Sequence, residues 1–155
     1  MGDKKKASGV MNVRVLEHGA QCTYALIFDK DEEFIAGLTS WAKEKKLGGS
    51  HFTAIGAFRE VTLGYFDRGK KDYRKIAVRE QVEVLSLIGD IALKDGIPQV
   101  HAHVVVGKAD GSAHGGNVLE AHVWPTLELI LTESPKHLCR KYDPKTGLAL
   151  LDALQ

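Results

Sequence analysis

Two histidines one residue apart, His101 and His103, have the types and spacing best suited to chemistry in this sequence. They lie in the run VHAHVVVG, whose alternation predicts an extended strand. Successive side chains of a strand point to opposite faces, so both imidazoles share one face and the small apolar residues around them share the other. With a rise of about 3.3 Å per residue, the two histidines are roughly 6.6 Å apart along the backbone, near enough for both rings to bind one metal ion.

A third metal ligand is predicted from the turn that follows this strand. Residues 107–112 supply turn-forming types, and the run HGGN at 114–117 opens the next strand. Because paired glycines let backbones approach closely, the turn can bring His114 or Asn117 back toward the imidazoles. The same pattern also fits a half-exposed sheet face whose histidines only pack or form hydrogen bonds, and the spacing leaves both interpretations open.

A second group of functional candidates is basic. Arg68, Lys70, Lys71 and Arg74 fall in and just after a predicted hairpin loop and, with Lys75, form the densest basic cluster of the chain. Such a cluster is typical of a solvated loop, and it is also the local patch on which any contact with nucleic acid would depend.

The elements that must position these residues are mainly strands. Residues 10–16 and 22–28 are predicted to form an antiparallel pair, and Asp29 or Asp31 is predicted to cap a helix that ends at Gly48-Gly49. Residues 51–66 are rich in strand formers but contain Gly56 and Gly64, which indicates two strands or one bent strand. Further strands are predicted over 73–78, 80–87, 89–93, 100–106, 118–123 and 126–132, with 94–98 as a turn, and the run at 148–151 is predicted to form a last strand or a subunit contact. One helix among many strands indicates an α+β domain with a largely antiparallel sheet.

Composition places the chain among ordinary globular proteins. Its 155 residues fit one domain, predicted over 10–155 after a disordered lead-in at 1–9, with 133–155 as an extension that packs on the domain or on a neighbouring subunit. No apolar run approaches the length of a membrane span, and the basic N-terminus lacks the apolar core of a secretory signal. The net charge of +1 gives no global attraction to a polyanion. Two cysteines without metal or redox spacing favour a reducing cytoplasm.

An ordered set of motifs resembles the PPC domain, the "plants and prokaryotes conserved" domain. The set runs from Ile55-Gly56-Ala57 through EVLSLIG at 83–89, HAH at 101–103, Asp110-Gly111 and Gly115-Gly116 to TLEL at 126–129, and the resemblance covers about residues 10–133. It implies an antiparallel sheet of about seven strands, flanked by one main helix and short helical pieces, and assembly as a homotrimer. In plant relatives the domain accompanies an AT-hook DNA-binding element.

The fold implied is also similar to that of acetolactate decarboxylase, in which a His-x-His and a following Gly-Gly-His bind zinc. Carried over, the resemblance makes His101 and His103 zinc ligands and puts Asn117 at the position of the third histidine. An amide oxygen is a poorer zinc ligand than imidazole, so His114 is the alternative third ligand.

Three functions follow from these observations. The first is binding of zinc, of a small ligand or of both at His101, His103 and His114, with Glu83 or Arg14 as an outer acid or anion contact. The second is association with DNA through Arg68, Lys70, Lys71 and Arg74. The third is a trimerising module that presents a surface to a partner. No residue pattern indicates a particular reaction.

Overall fold

The computed structural model describes residues 11–152, which form nine strands and one helix. In chain order these are β1 (Met11–His18), β2 (Cys22–Phe28), α1 (Phe34–Lys45), β3 (Gly49–Asp67), β4 (Asp72–Val78), β5 (Val82–Lys94), β6 (Ile97–Gly107), β7 (Ala113–Glu133), β8 (Cys139–Asp143) and β9 (Leu148–Asp152). The predicted lead-in at residues 1–9 lies outside the described residues.

All nine strands belong to one strongly curled sheet. Its order is β1-β2-β7-β3-β5-β8-β9, with β4 paired to β3, and β6 paired to both β5 and β7. Every pairing is antiparallel except the short one between β5 and β8, which confirms the predicted α+β class with a largely antiparallel sheet. The sheet has nine strands rather than the expected seven or so, because residues 139–152 form an additional hairpin of two strands, β8 and β9. The short helical pieces expected beside the main helix do not occur within residues 11–152.

The long strand β3 is one bent strand, the second of the two predicted alternatives. Its pairing with β5 shifts register between Ala54 and Gly56. Gly56 has a φ of 146°, and a side chain there would overlap the backbone of Thr126 and Leu127 on β7. Glycine is therefore required at the bend, because no other residue combines this conformation with so close an approach.

The helix α1 closes one face of the curled sheet. Phe34, Leu38 and Trp41 recur at helical spacing and are buried against the aromatic and aliphatic residues of the sheet's inner face. The N-cap is Glu33, whose carboxylate accepts hydrogen bonds from the backbone of Ile35 and Ala36. The prediction that Asp29 or Asp31 caps the helix was wrong, because the longer Glu33 side chain can fold back onto the first turn.

The opposite sheet face has no helix over it, and we call it the outer face. Cross-strand pairs place its residues in rows, so that Ile88 lies between Thr53 and His103, and Thr53 lies beside Ile130. Buried and exposed positions alternate along β6, as expected for a strand that covers the core on one side only. No helix in the described part of the chain has the length and apolarity to cross a membrane.

Candidate functional site

A tight hairpin sets the position of the two predicted ligands. Asp95 and Gly96 form a two-residue turn with φ values of 53° and 77°, as the favoured hairpin turns require. This turn pairs Lys94 with Ile97 and, further along the ladder, Asp90 with His101 and Ile88 with His103. Both histidines therefore lie on the outer face, next to the middle of β5.

The two imidazoles form a close pair. Their ring centroids are 4.9 Å apart and the ring planes are nearly perpendicular, at 84°. The His101 side chain is 38% exposed, and His103 is also open to solvent. Two rings at this separation on an accessible face can direct one nitrogen each at a single ion, with room for further ligands.

An ion pair flanks His101. Arg140 Nη2 donates to Asp90 Oδ1, and the Arg140 side chain is only 7% exposed. His101 Nδ1 is 3.5 Å from Arg140 Nη2 and 3.9 Å from Asp90 Oδ2. Burial by itself would raise the pKa of Asp90, but the neighbouring His101 and Arg140 outweigh burial and hold that pKa below its usual value. At 3.9 Å the His101 contact is too long for a hydrogen bond, so the Arg140 guanidinium is the firmer cause.

The surroundings of the second imidazole favour its neutral form. Partial burial lowers the pKa of His103 below its ordinary value, and the nearby His101 adds to that effect, while Asp90 opposes it. A neutral imidazole has a free lone pair at one ring nitrogen, which is the form that binds metal ions.

Asn117 faces His103 across the β6–β7 ladder. Its Nδ2 donates to the hydroxyl of Tyr73 at 2.8 Å, across Gly64 of the intervening strand β3. A Cβ on Gly64 would lie 2.8 Å from the Tyr73 ring. The absence of a side chain at Gly64 therefore lets the Tyr73 ring lie across β3 and contact Asn117. The hydrogen bond uses Nδ2 and leaves Oδ1 of Asn117 as an acceptor.

The structure does not bring the other predicted residues to the imidazole pair. His114 pairs with Val106, an odd number of residues beyond His103, so its position belongs to the opposite face of the ladder. Glu83 pairs with Gly107, about 13 Å along β6 from His103. Arg14 lies on β1, which pairs only with β2; β2 in turn pairs with the end of β7, at 127–133, whereas β6 pairs with its start, at 113–117. Within residues 11–152, no three histidine, cysteine or acidic side chains are grouped so as to hold a metal ion.

The sequence and the fold both match known proteins. The family model of the Plants and Prokaryotes Conserved domain, written PCC or PPC, matches residues 16–135. The chain belongs to this family. The resemblance to the PPC domain that the sequence motifs indicated is therefore confirmed. A comparison with curated protein sequences found no match.

Three solved structures show the same PPC fold. A plant- and prokaryote-conserved protein from Pyrococcus horikoshii is 31% identical with a TM-score of 0.80, and the match covers 97% of this chain and 99% of that one. A metal-containing protein from Archaeoglobus fulgidus is 33% identical with a TM-score of 0.78, over 92% and 98% of the two chains. A protein from Bacteroides thetaiotaomicron, provisionally named as DNA-binding, is 28% identical with a TM-score of 0.83, over 90% and 96%.

The predicted basic cluster of this PPC domain lies at the β3–β4 hairpin. Arg68 and Lys70 are exposed at its tip, whereas Lys71 Nζ donates to the carbonyl of Pro144 at 2.7 Å. The Arg74 guanidinium lies 5.5 Å from the centre of the Tyr65 ring. All five basic side chains of the cluster are thus exposed, and that of Lys71 is also hydrogen-bonded to the β8–β9 turn.

Sequence reasoning missed Asp90, Arg140 and Tyr73. A signal for Asp90 was present, because a two-residue turn at Asp95-Gly96 implies the register that places Asp90 opposite His101. No comparable signal pointed to Arg140, fifty positions further along the chain. Tyr73 reaches Asn117 only because β4 and β7 flank the same glycine.

Proposed function

We propose that the protein is a homotrimeric PPC-domain protein that binds a zinc ion, a small ligand or both through His101 and His103. The observation that supports this most directly is the imidazole pair, with ring centroids 4.9 Å apart on the outer face of the sheet. The Archaeoglobus relative named as metal-containing adds support.

The donor set fits a zinc ion with exchangeable positions. His101 and His103 supply two imidazole nitrogens, and the Asn117 oxygen, which lies in the same ladder row as His103, supplies a weaker third donor. The predicted ligand His114 is the less suitable third donor, because its position belongs to the other face. A zinc ion with open positions can polarise a carbonyl or activate water. Binding is the activity we assign; no reaction is assigned.

The proposed trimer would cover the outer face. Large apolar side chains are exposed there, among them Ile55 at 62%, Ile88 at 57% and Ile130 at 46%. A cluster of exposed aliphatic residues on one sheet face is typical of a surface that contacts another protein. Since Ile88 pairs with His103, the proposed metal-binding residues would lie beside the subunit contact.

The proposed location of the protein is the reducing cytoplasm. It is supported by Cys22 and Cys139, which are both free thiols.

Zinc titration of purified protein tests the proposal. We expect saturable binding of one zinc per chain by calorimetry and elemental analysis, abolished in the His101→Ala, His103→Ala double variant and retained in His18→Ala, an exposed histidine on β1. Asn117→His places a third imidazole in the ladder row of His103 and is expected to tighten binding by about tenfold or more, equivalent to about 1.4 kcal/mol. Wild-type protein that binds no zinc, or a double variant that binds zinc as well as wild type, would contradict the proposed zinc site.

DNA association is the second candidate function. It is favoured by the exposed Arg68, Lys70, Arg74 and Lys75 on one hairpin, and by the Bacteroides relative provisionally named as DNA-binding. Contacts made only to phosphates depend strongly on salt and little on sequence. We expect a duplex to bind at low ionic strength and to be released by added salt, with Arg68→Ala and Lys70→Ala weakening binding equally for all duplexes. Absence of any shift at low ionic strength would exclude this function.

A further inference from the structure

The ring of Tyr73, on β4, is held in place by packing. It covers Gly64 of β3, where a Cβ would lie 2.8 Å from the ring atom Cδ1. The Phe66 ring packs against it, with ring centroids 5.3 Å apart. The start of β4 is also tied to the C-terminal hairpin, formed by β8 and β9, because Lys71 Nζ donates to the carbonyl of Pro144 at 2.7 Å. The position of the Tyr73 hydroxyl is therefore set by contacts other than its own hydrogen bond.

Asn117 lies between this tyrosine and the imidazole pair. Its ladder partner on β6 is His103, and its ladder partner on β3 is Gly64. Its Nδ2 donates to the Tyr73 hydroxyl across Gly64, at 2.8 Å. The oxygen and the nitrogen of a planar side-chain amide point to opposite sides of the Cβ–Cγ bond. Since Nδ2 points toward β4, Oδ1 lies on the side of β6 and His103.

The orientation of this amide decides which group faces His103. An amide oxygen has two lone pairs and can bind a cation, whereas the amide nitrogen can only donate hydrogen bonds. With the amide reversed, Asn117 Nδ2 would donate to the lone pair of a neutral His103 and compete with a metal ion for it. The structure has the orientation that leaves the lone pairs of His103 and of Asn117 Oδ1 on the same side.

We propose that Tyr73 is a positioning residue for the metal site. By accepting the hydrogen bond from Asn117 Nδ2, it presents Asn117 Oδ1 to an ion bound at His101 and His103. The effect on metal affinity rests on the zinc binding proposed above, but the orientation of the amide does not. The strand β4, two strands away from the histidines, then contributes directly to the site.

Nuclear Overhauser contacts of the Asn117 side-chain amide test the orientation in the metal-free protein. We expect the Nδ2 protons to contact the Tyr73 ring and not the His103 ring. Tyr73→Phe keeps a ring over Gly64 and therefore the fold, but removes the acceptor, so the Nδ2 protons should exchange faster with solvent. Tyr65→Phe is the matched control, since Tyr65 is 62% exposed on β3, and should leave the amide unchanged. Wild-type Nδ2 protons that contact the His103 ring, or an amide that Tyr73→Phe does not alter, would overturn the proposal.

Zinc titration separates positioning from a merely structural role. We expect Tyr73→Phe to weaken zinc binding about 10-fold and Tyr65→Phe to leave it unchanged. In an Asn117→Ala background there is no oxygen to orient, so Tyr73→Phe should cause no further loss. In an Asn117→Asp background both terminal atoms of the side chain are oxygens, so the orientation no longer matters and Tyr73→Phe should again have little effect.

The titration outcomes distinguish this proposal from the proposed function. Tyr73→Phe that binds zinc as well as wild type, or that loses as much affinity in the Asn117→Ala and Asn117→Asp backgrounds as in wild type, would overturn the positioning role. A wild type that binds no zinc but shows the expected amide contacts would refute the proposed zinc site and leave the orientation of Asn117 by Tyr73 supported.

Discussion

At the scale of single residues, the outer face of this sheet concentrates groups that depend on one another. His101 faces an ion pair, His103 faces Asn117, and Asn117 is held by Tyr73 across Gly64. None of these side chains is deeply buried except Arg140, so their mutual contacts rather than core packing set their orientations. Substitutions here are therefore expected to change ligand affinity more than stability.

Glu32, in the turn before the helix, is expected to make stability depend on pH. Burial raises the pKa of Glu32 to about 7, Asp29 adds to the rise, and a hydrogen bond from the Asp29 backbone opposes it. Because the folded state binds the proton more tightly than the unfolded state, Glu32 lowers the free energy of unfolding as pH rises from about 4.5 to about 7. Glu32→Gln keeps a hydrogen-bond acceptor and should remove this contribution. At pH 8 the variant should be more stable than wild type by about 1–2 kcal/mol, allowing for solvent screening.

Urea unfolding of wild type and Glu32→Gln between pH 4 and pH 8 measures this difference. Glu44→Gln on the exposed side of α1 is the control, since 60% of its side chain is exposed. The expectation fails if the stability difference between wild type and Glu32→Gln is the same at both ends of the pH range.

Gly89, next to Asp90, is expected to tolerate no side chain. A Cβ there would lie 2.6 Å from Phe52 Cε2 and would also overlap the His101 carbonyl. Phe52 is buried in the core, so it has little room to move. We expect Gly89→Ala to lower the free energy of unfolding by about 1–3 kcal/mol, measured by chemical denaturation. Gly19→Ala, whose nearest neighbour would be 3.9 Å away, should change it by less than about 0.5 kcal/mol. Similar effects from both substitutions would contradict this account.

At the scale of elements, the sheet's connections hold the site in place. The β5–β6 turn sets which residues face the histidines, and the C-terminal hairpin adds a side chain from the other side. The start of β3 is fastened to the end of β7, because the Glu133 carboxylate accepts from the backbone of Gly48 at 2.9 Å and Gly49 at 3.2 Å. This junction is also where the chain enters the C-terminal hairpin.

Glu33 is expected to stabilise both the helix and its attachment to the sheet. Its carboxylate accepts from the first turn of α1 and also from Ala121 N on β7, at 2.9 Å. Glu33→Ala leaves these donors without their acceptor and should cost about 1–3 kcal/mol in the free energy of unfolding. Thermal and chemical denaturation measure the loss. Glu33→Gln, which keeps one acceptor oxygen, should lose less, and Glu44→Ala should be close to neutral. A Glu33→Ala variant as stable as wild type would show that water replaces the carboxylate.

At the scale of the whole molecule, the helix covers one face of the sheet and leaves the other exposed. The exposed face carries both the imidazole pair and the exposed isoleucines Ile55, Ile88 and Ile130. In the proposed trimer, binding would be linked to assembly, because subunits that covered this apolar patch would also shape the surroundings of the histidines.

Ile88→Lys is expected to separate the proposed trimer into monomers. Ile88 is 57% exposed and lies at the centre of the outer face, where a buried lysine would be strongly unfavourable. Sedimentation should give a wild-type mass of three chains of 17.0 kDa each, and a single-chain mass for the variant. Ser40→Lys, exposed on α1, should remain trimeric. A monomeric wild type would refute the trimer.

The sequence by itself determined the local pattern of this protein. Alternation predicted the strands, the spacing of Phe34, Leu38 and Trp41 predicted the helix, and the His-x-His spacing placed two imidazoles on one face. These features depend on residues a few positions apart, whose geometry follows from the periods of strands and helices.

The tertiary structure decided which distant residues complete the site. Whether His114 or Asn117 faces His103 depends on the register of β7 on β6, and a shift of one residue reverses the outcome. Arg140 contacts Asp90 only because β8 pairs with β5 at Leu93 and Lys94, the part of β5 that β3 does not cover. No short-range pattern encodes such contacts, since they result from the closing of the whole sheet around its core.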